Sequence, residues 1–139
     1  MGDGRLLLRF SCVAGAAQLA EVRARIRRAL AGRADAEEVD SLVLAVNEAC
    51  MNIIQHAYGP GQNGDILLEL FLNDDGVTVR ITDFAAPVDW SRCYPRDLDD
   101  LRPGGLGLHL INELMDEVLF LGHPDGRGNA LQMKKKWRR

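Results

Sequence analysis

Hydrophobic residues along this chain change their period several times, and each change marks an element. Leu6, Leu8 and Phe10 alternate with Leu7, Arg9 and Ser11, which predicts a strand over residues 5–12. From Ala16 to Ala31 the spacing lengthens: Leu19, Val22, Ile26 and Leu30 form a helical stripe with four arginines on the other sides, and Gly32 ends the helix. Asp35 and Glu38 have the spacing of a capping box, so a second helix is expected from there through Ala57, where Gly59-Pro60-Gly61 stops it. Residues 65–73 are apolar at nearly every position, as in a central strand covered on one face, and Asn73-Asp74-Asp75-Gly76 is a hairpin turn signal. Val77, Val79 and Ile81 then alternate with Thr78, Arg80 and Thr82 and lead into Asp83. Residues 84–104 lack any period and carry three prolines, so they read as a long loop, which in a small domain usually serves function. A third helix opens at Gly104-Gly105 and runs to about Met115, with Leu106, Leu110, Ile111 and Leu114 inward. Val118 to Leu121 and Ala130 to Trp137 complete a last hairpin. The order β-α-α-β-β-loop-α-β-β gives an α+β two-layer sandwich, a mixed, mostly antiparallel sheet with helices on one face.

Composition narrows the classes. At 139 residues, 47% apolar and 27% charged, the chain reads as one soluble globular domain over residues 1–139. A net charge of −3 argues against a direct nucleic-acid binder, and the closing KKKWRR reads as a solvated tail. Cys12, Cys50 and Cys93 are odd in number and scattered, which fits neither a disulfide framework nor a zinc site and suggests a reducing, cytoplasmic setting. Cys50 lies among apolar helix positions and is expected as a buried thiol. No stretch approaches the roughly 18 consecutive apolar residues of a membrane helix, and the first residues do not have the order of a signal peptide.

Three segments carry candidate chemistry. In NEACMNIIQHAY (47–58), Glu48, Asn52 and His56 recur at steps of four and share one helix face, while Leu42, Val43, Val46, Ile53 and Ile54 seat the other face on a core. A carboxylate, an amide and an imidazole beside an apolar stripe are costly to bury without partners, so the row is either solvated or lines a site. Asn52 could give an amide oxygen to magnesium, and Glu48 could act as a base near a γ-phosphate. Asp83 at a strand end could accept from an exocyclic amine, though a lone aspartate there is more often a turn-former or cap. In PGGLGLHLI (103–111), glycines before a helix let backbone N–H groups approach an anion, as they also do in a plain turn. His56 and Tyr58 are expected to be structural, and His109 to be solvated.

Together the three segments resemble the GHKL (Bergerat) ATP-binding family, and within it the anti-sigma-factor serine/threonine protein kinases of the RsbW and SpoIIAB type. VNEACMNIIQHAY resembles that family's asparagine box, which implies Glu48 as general base and Asn52 as Mg2+ ligand. ITDF (81–84) stands where the adenine-binding aspartate occurs, which implies that role for Asp83. GGLGLHLI resembles the second glycine box, which places Gly105, Leu106 and Gly107 at the phosphates of ATP, and residues 84–104 correspond to the ATP lid. The family usually has glycine two residues after the aspartate, where this chain has Ala85 and Ala86, and a Gly-Thr pair where this chain has Gly128-Asn129. Asn129 can still hydrogen-bond. The resemblance implies a cytoplasmic kinase that holds a sigma factor or other regulated protein and phosphorylates a STAS-domain anti-anti-sigma antagonist. The alternative is a catalytically weakened or nucleotide-free module that works by holding its partner. Homodimers are common in the family, and Leu6, Leu8 or Phe10 on an edge strand would supply an interface.

Overall fold

The computed structural model describes residues 4–13, 15–53, 64–84, 105–122 and 129–137, with the backbone alone at 16, 105–108 and 122. The elements follow the expected order: β1 (Arg5–Val13), α1 (Ala16–Leu30), α2 (Ala36–Ile53), β2 (Asp65–Asn73), β3 (Gly76–Asp83), α3 (Gly105–Leu114), β4 (Glu117–Gly122) and β5 (Asn129–Lys136). Gly32 takes φ +76, the left-handed conformation that ends α1, and the Arg33 N–H closes on the Leu30 carbonyl. Asp35 precedes α2 and its carbonyl accepts from the Val39 N–H. The helix was expected to reach Ala57; it is described to Ile53, and residues 54–57 lie outside the described residues.

The five strands form one sheet in the order β1-β2-β3-β5-β4. A mixed sheet was expected, yet each described pairing is antiparallel. The reason is topological. The α1–α2 excursion runs down and back, so β2 returns antiparallel to β1. β3 and β4 do run the same way, but β5 inserts between them and removes the parallel contact. At the β2–β3 hairpin a side chain on Gly76 would collide with the Lys135 carbonyl, so only glycine fits there.

The core lies between the sheet and the helices. Ile66, Leu68 and Leu70 of β2, Val77, Val79 and Ile81 of β3, and Leu131 and Met133 of β5 are buried on one face. Against them sit Leu19, Val22, Ile26 and Leu30 of α1, Leu42, Val43, Val46 and Ile53 of α2, and Ile111 of α3. Fully burying each such side chain contributes about 1.5–3 kcal/mol, offset by the conformational entropy lost on folding. The strand alternation expected for β1 breaks at a bulge: Leu6 pairs with Phe71 but Leu8 pairs with Leu70. The bulge turns Leu6 to the open face, 41% exposed, while Leu7, Leu8 and Phe10 pack on the core. Leu8 and Phe10 are therefore partly buried against the core, and of the three residues expected to supply a dimer surface Leu6 is the most exposed.

On the open face one cross-sheet row is charged. Arg9, Glu69, Arg80 and Gln132 are neighbours in register. Arg9 donates to Glu69 Oε2 from Nη2 at 2.7 Å and from Nε at 3.1 Å, and Arg80 donates to Gln132 Oε1 at 2.8 Å while lying 3.9 Å from Glu69 Oε1. Glu69 is only 7% exposed, a burial its two guanidinium neighbours make tolerable.

Candidate functional site

The topology gathers the candidate residues at one end of the sheet. Asp83 pairs in register with Ile66 at the start of β2 and with Asn129 at the start of β5, so the end of β3 meets two strand starts. Arg27 bonds Asp40 near the α1–α2 turn and Arg23 bonds Asn47 further along, so α2 runs antiparallel to α1 and ends at that same edge. β4 begins, three residues after α3 ends, at the opposite edge beside Lys134, so α3 opens at the Asp83 end.

Each predicted residue has a definite place. Glu48 is half-buried on α2. Asn52, one turn on, is 2% exposed, and its Nδ2 is buried with no hydrogen-bond partner among the described residues. Leaving such an atom unpaired costs about 1–3 kcal/mol. Turning the amide over puts its oxygen at the same point, so the position offers either a donor or an acceptor. Asp83 is fully buried and accepts a 3.0 Å hydrogen bond through Oδ1 from Asn129 Nδ2, itself 5% exposed. The pair joins two strand ends on the helix-side face. Asn129 thus holds the aspartate.

Gly105, Leu106 and Gly107 are the first three residues of α3, where backbone N–H groups have no partner inside the helix. Helix ends of this kind can receive anionic oxygens. The loop 85–104, with Ala85 and Ala86, lies outside the described residues, as do His56, Tyr58, Cys93, His123 and Gly128. His109 was expected at the solvated surface; it is half-buried instead, and its Nε2 is buried without a hydrogen-bond partner among the described residues. The sequence signal for this was its place two residues after Gly107, within the first turns of a helix that opens at the site.

Cys50 is fully buried, as expected, and burial pushes its thiol from the ordinary 9.0 up to about 12, with Cys12 adding to the shift. Burial, then Asp65, also raises Cys12. Neither is a reactive thiolate. Among the described residues no group of three or more His, Cys, Asp and Glu side chains could hold a metal. A single amide oxygen suits a magnesium ion whose other ligands are phosphate and water.

A sheet backed by helices on one face, with buried polar groups gathered where two strands start and one ends, is the frame of a GHKL-type fold. Residues 12–135 match the family described as histidine kinase-like ATPase domain, and the chain belongs to that family. It is similar to the serine-protein kinase RsbW of Bacillus subtilis (strain 168), 35% identical over 96 residues, which cover 63% of this chain and 59% of that protein. It is also similar to the serine-protein kinase RsbW of Bacillus cereus (strain AH187), 33% identical over 120 residues, covering 77% of this chain and 74% of that one. The chain thus spans less than two thirds of the first relative's length. Among solved structures, that of the RsbU and RsbW domains of Rv1364c from Mycobacterium tuberculosis superposes with a TM-score of 0.66 at 20% identity, over 95% of this chain and 33% of that one. This last likeness concerns the fold alone.

No helix among the described residues is long and apolar enough to cross a membrane.

Proposed function

We propose that this chain is an ATP-dependent serine/threonine protein kinase acting as an anti-sigma factor in a bacterial partner-switching system, and that it phosphorylates a STAS-type anti-anti-sigma protein in the cytoplasm. The observation that carries the reading is Asn52, a buried amide with bonding capacity to spare at the edge where Asp83 is buried and α3 opens. It is supported by the similarity of most of the chain to two serine-protein kinases.

In this reading Asn52 offers its amide oxygen to Mg2+. Asp83, oriented by Asn129, accepts from the exocyclic amine of adenine, and the backbone N–H groups of Gly105, Leu106 and Gly107 receive phosphate oxygens. Glu48, one turn before Asn52, takes the proton of the acceptor hydroxyl. Bound MgATP supplies the γ-phosphoryl group and the counter-charge for it. The protein's own contribution is position: the base and the metal-binding amide are held about 6 Å apart along the axis of one helix.

Isothermal titration of ATP and ADP with magnesium, into the native chain and Asn52→Ala, tests the reading. Magnesium-dependent binding that the substitution removes is the expected result. No binding at millimolar nucleotide would instead favour the alternative, a nucleotide-free module that sequesters its partner, for which Ala85 and Ala86 are the motive.

A further inference from the structure

The chain has four methionines, and they differ sharply in access to solvent. Met115 is 5% exposed and Met133 0%, whereas Met51 on α2 is 42% exposed; Met1 lies outside the described residues. A thioether in the core is shielded from a dissolved oxidant, and one at the surface is not. Met51 also ends a short relay of hydrogen bonds. Arg23 of α1 donates from Nη1 to Asn47 Oδ1 at 2.7 Å, and Asn47 Nδ2 donates to Met51 Sδ at 3.7 Å. A guanidinium only donates, so it fixes the amide with its oxygen toward Arg23 and its nitrogen toward the sulfur. Its charge also polarises the amide and makes Nδ2 a stronger donor. The thioether is a weak acceptor for that donor. The Asn47 amide is thus well matched on one side and poorly matched on the other.

We infer that Met51 is a reversible oxidation site, and that its sulfoxide oxygen takes over the Asn47 Nδ2 hydrogen bond and ties this turn of α2 more firmly to α1. The oxidant is a hydroperoxide. The sulfur lone pair attacks one peroxide oxygen, and the O–O bond breaks as the S–O bond forms. The second oxygen takes up the proton and leaves as water or an alcohol, so the sulfur is oxidised and the peroxide reduced by one electron pair. A dithiol reductase reverses the step, becoming a disulfide and releasing the oxygen as water. Asn47 and Met51 are four residues apart, one turn along the same helix face, so rotation of the flexible Met51 side chain brings the new oxygen to the amide. The packing side of α2, with Leu42, Val46, Ala49 and Ile53, is not disturbed. Met51 directly precedes Asn52, and Glu48 lies between Asn47 and Met51, so the stiffened turn is the one that carries the candidate site residues. None of this depends on Glu48 being a base.

The test treats the full native chain with hydrogen peroxide and follows each methionine by peptide mass spectrometry. Met51 is expected to gain one oxygen about tenfold or more faster than Met115 and Met133, and the difference should vanish in denaturant. Backbone amide exchange over residues 47–53 should then slow about threefold in the oxidised chain and return to its starting rate after methionine sulfoxide reductase. The same treatment should leave exchange unchanged in Asn47→Ala, which lacks the donor, and in Met51→Leu, which keeps size and helix propensity but lacks sulfur. Oxidation of Met51 no faster than that of Met115 or Met133 would overturn the site. Unchanged or faster exchange in the oxidised native chain, or equal slowing in Asn47→Ala, would overturn the tie through Asn47.

Discussion

Two buried carboxylates sit on opposite faces of the same sheet, and their surroundings differ. Glu69 on the open face lies between two arginines in adjacent strands, one 2.7 Å from its carboxylate. Asp83 on the helix side is more deeply buried, and Asn129, which donates to it, is a neutral amide. The first arrangement cancels charge with charge and belongs to the scaffold. The second sets a side-chain amide against the carboxylate and fixes its direction. Burial alone therefore does not mark a site. The chemistry of the partner does, together with the place: Asp83 is at a strand end beside the openings of β2, β5 and α3, whereas Glu69 is mid-strand.

Substitutions can break this contrast, or sharpen it. The largest effect is expected from the third carboxylate, half-buried on α2: Glu48→Ala should lower phosphoryl transfer by about 100-fold or more with the fold retained, measured with a STAS-domain acceptor. Retained turnover would remove Glu48 from the base role. Next, Asp83→Asn keeps shape but sets an amide against the Asn129 amide. Nucleotide affinity should fall by about tenfold or more by titration, with a smaller change in thermal stability. Glu69→Gln should do the reverse. It removes the charge between Arg9 and Arg80, costing about 1 kcal/mol of stability by denaturant unfolding, since Arg9 is largely exposed, and it should leave nucleotide affinity alone. If Glu69→Gln weakened the nucleotide as much as Asp83→Asn, the division between scaffold and site would be wrong.

A separate effect, seen only at alkaline pH, concerns a neutral group in the same core. The folded chain holds the Cys50 proton up to about 12, while the unfolded chain releases it near 9.0. Stability should be unaffected below about pH 9 and should fall as pH rises from there toward 12, because deprotonation then favours the unfolded state. Comparing unfolding of the native chain with Cys50→Ala at pH 8 and pH 10.5 isolates this contribution. An identical pH slope in both would discard it.

How much of this was legible in the sequence follows from what sequence patterns encode. Strand and helix positions came from periods of two and 3.6, and these placed the eight elements with ends close to those observed. The candidate residues drew notice because three short segments with distinct chemistry occur at element ends. Register was not legible. Leu6-Leu7-Leu8 offers three equivalent side chains, so nothing local says which one the bulge sets aside. For the same reason the burial of Glu69 went unread: it looked like one polar residue in an apolar strand, and only the strand order brings Arg9 and Arg80 to either side. His109 was misjudged because its burial depends on the tertiary surroundings of α3, which helical spacing does not report. The insertion of β5 between β3 and β4 was likewise invisible, since strand order is not written in any one strand.

That insertion sets a timetable for the nascent chain. β3 and β4 are both synthesised before the strand that joins them, so until residues 129–136 emerge from the ribosome each lacks that neighbour and shows a bare hydrogen-bonding edge. Leu131 and Met133 reach the core last, and Asn129 arrives with them to fasten Asp83. Closure of the sheet and the Asn129–Asp83 hydrogen bond thus both wait for the same segment.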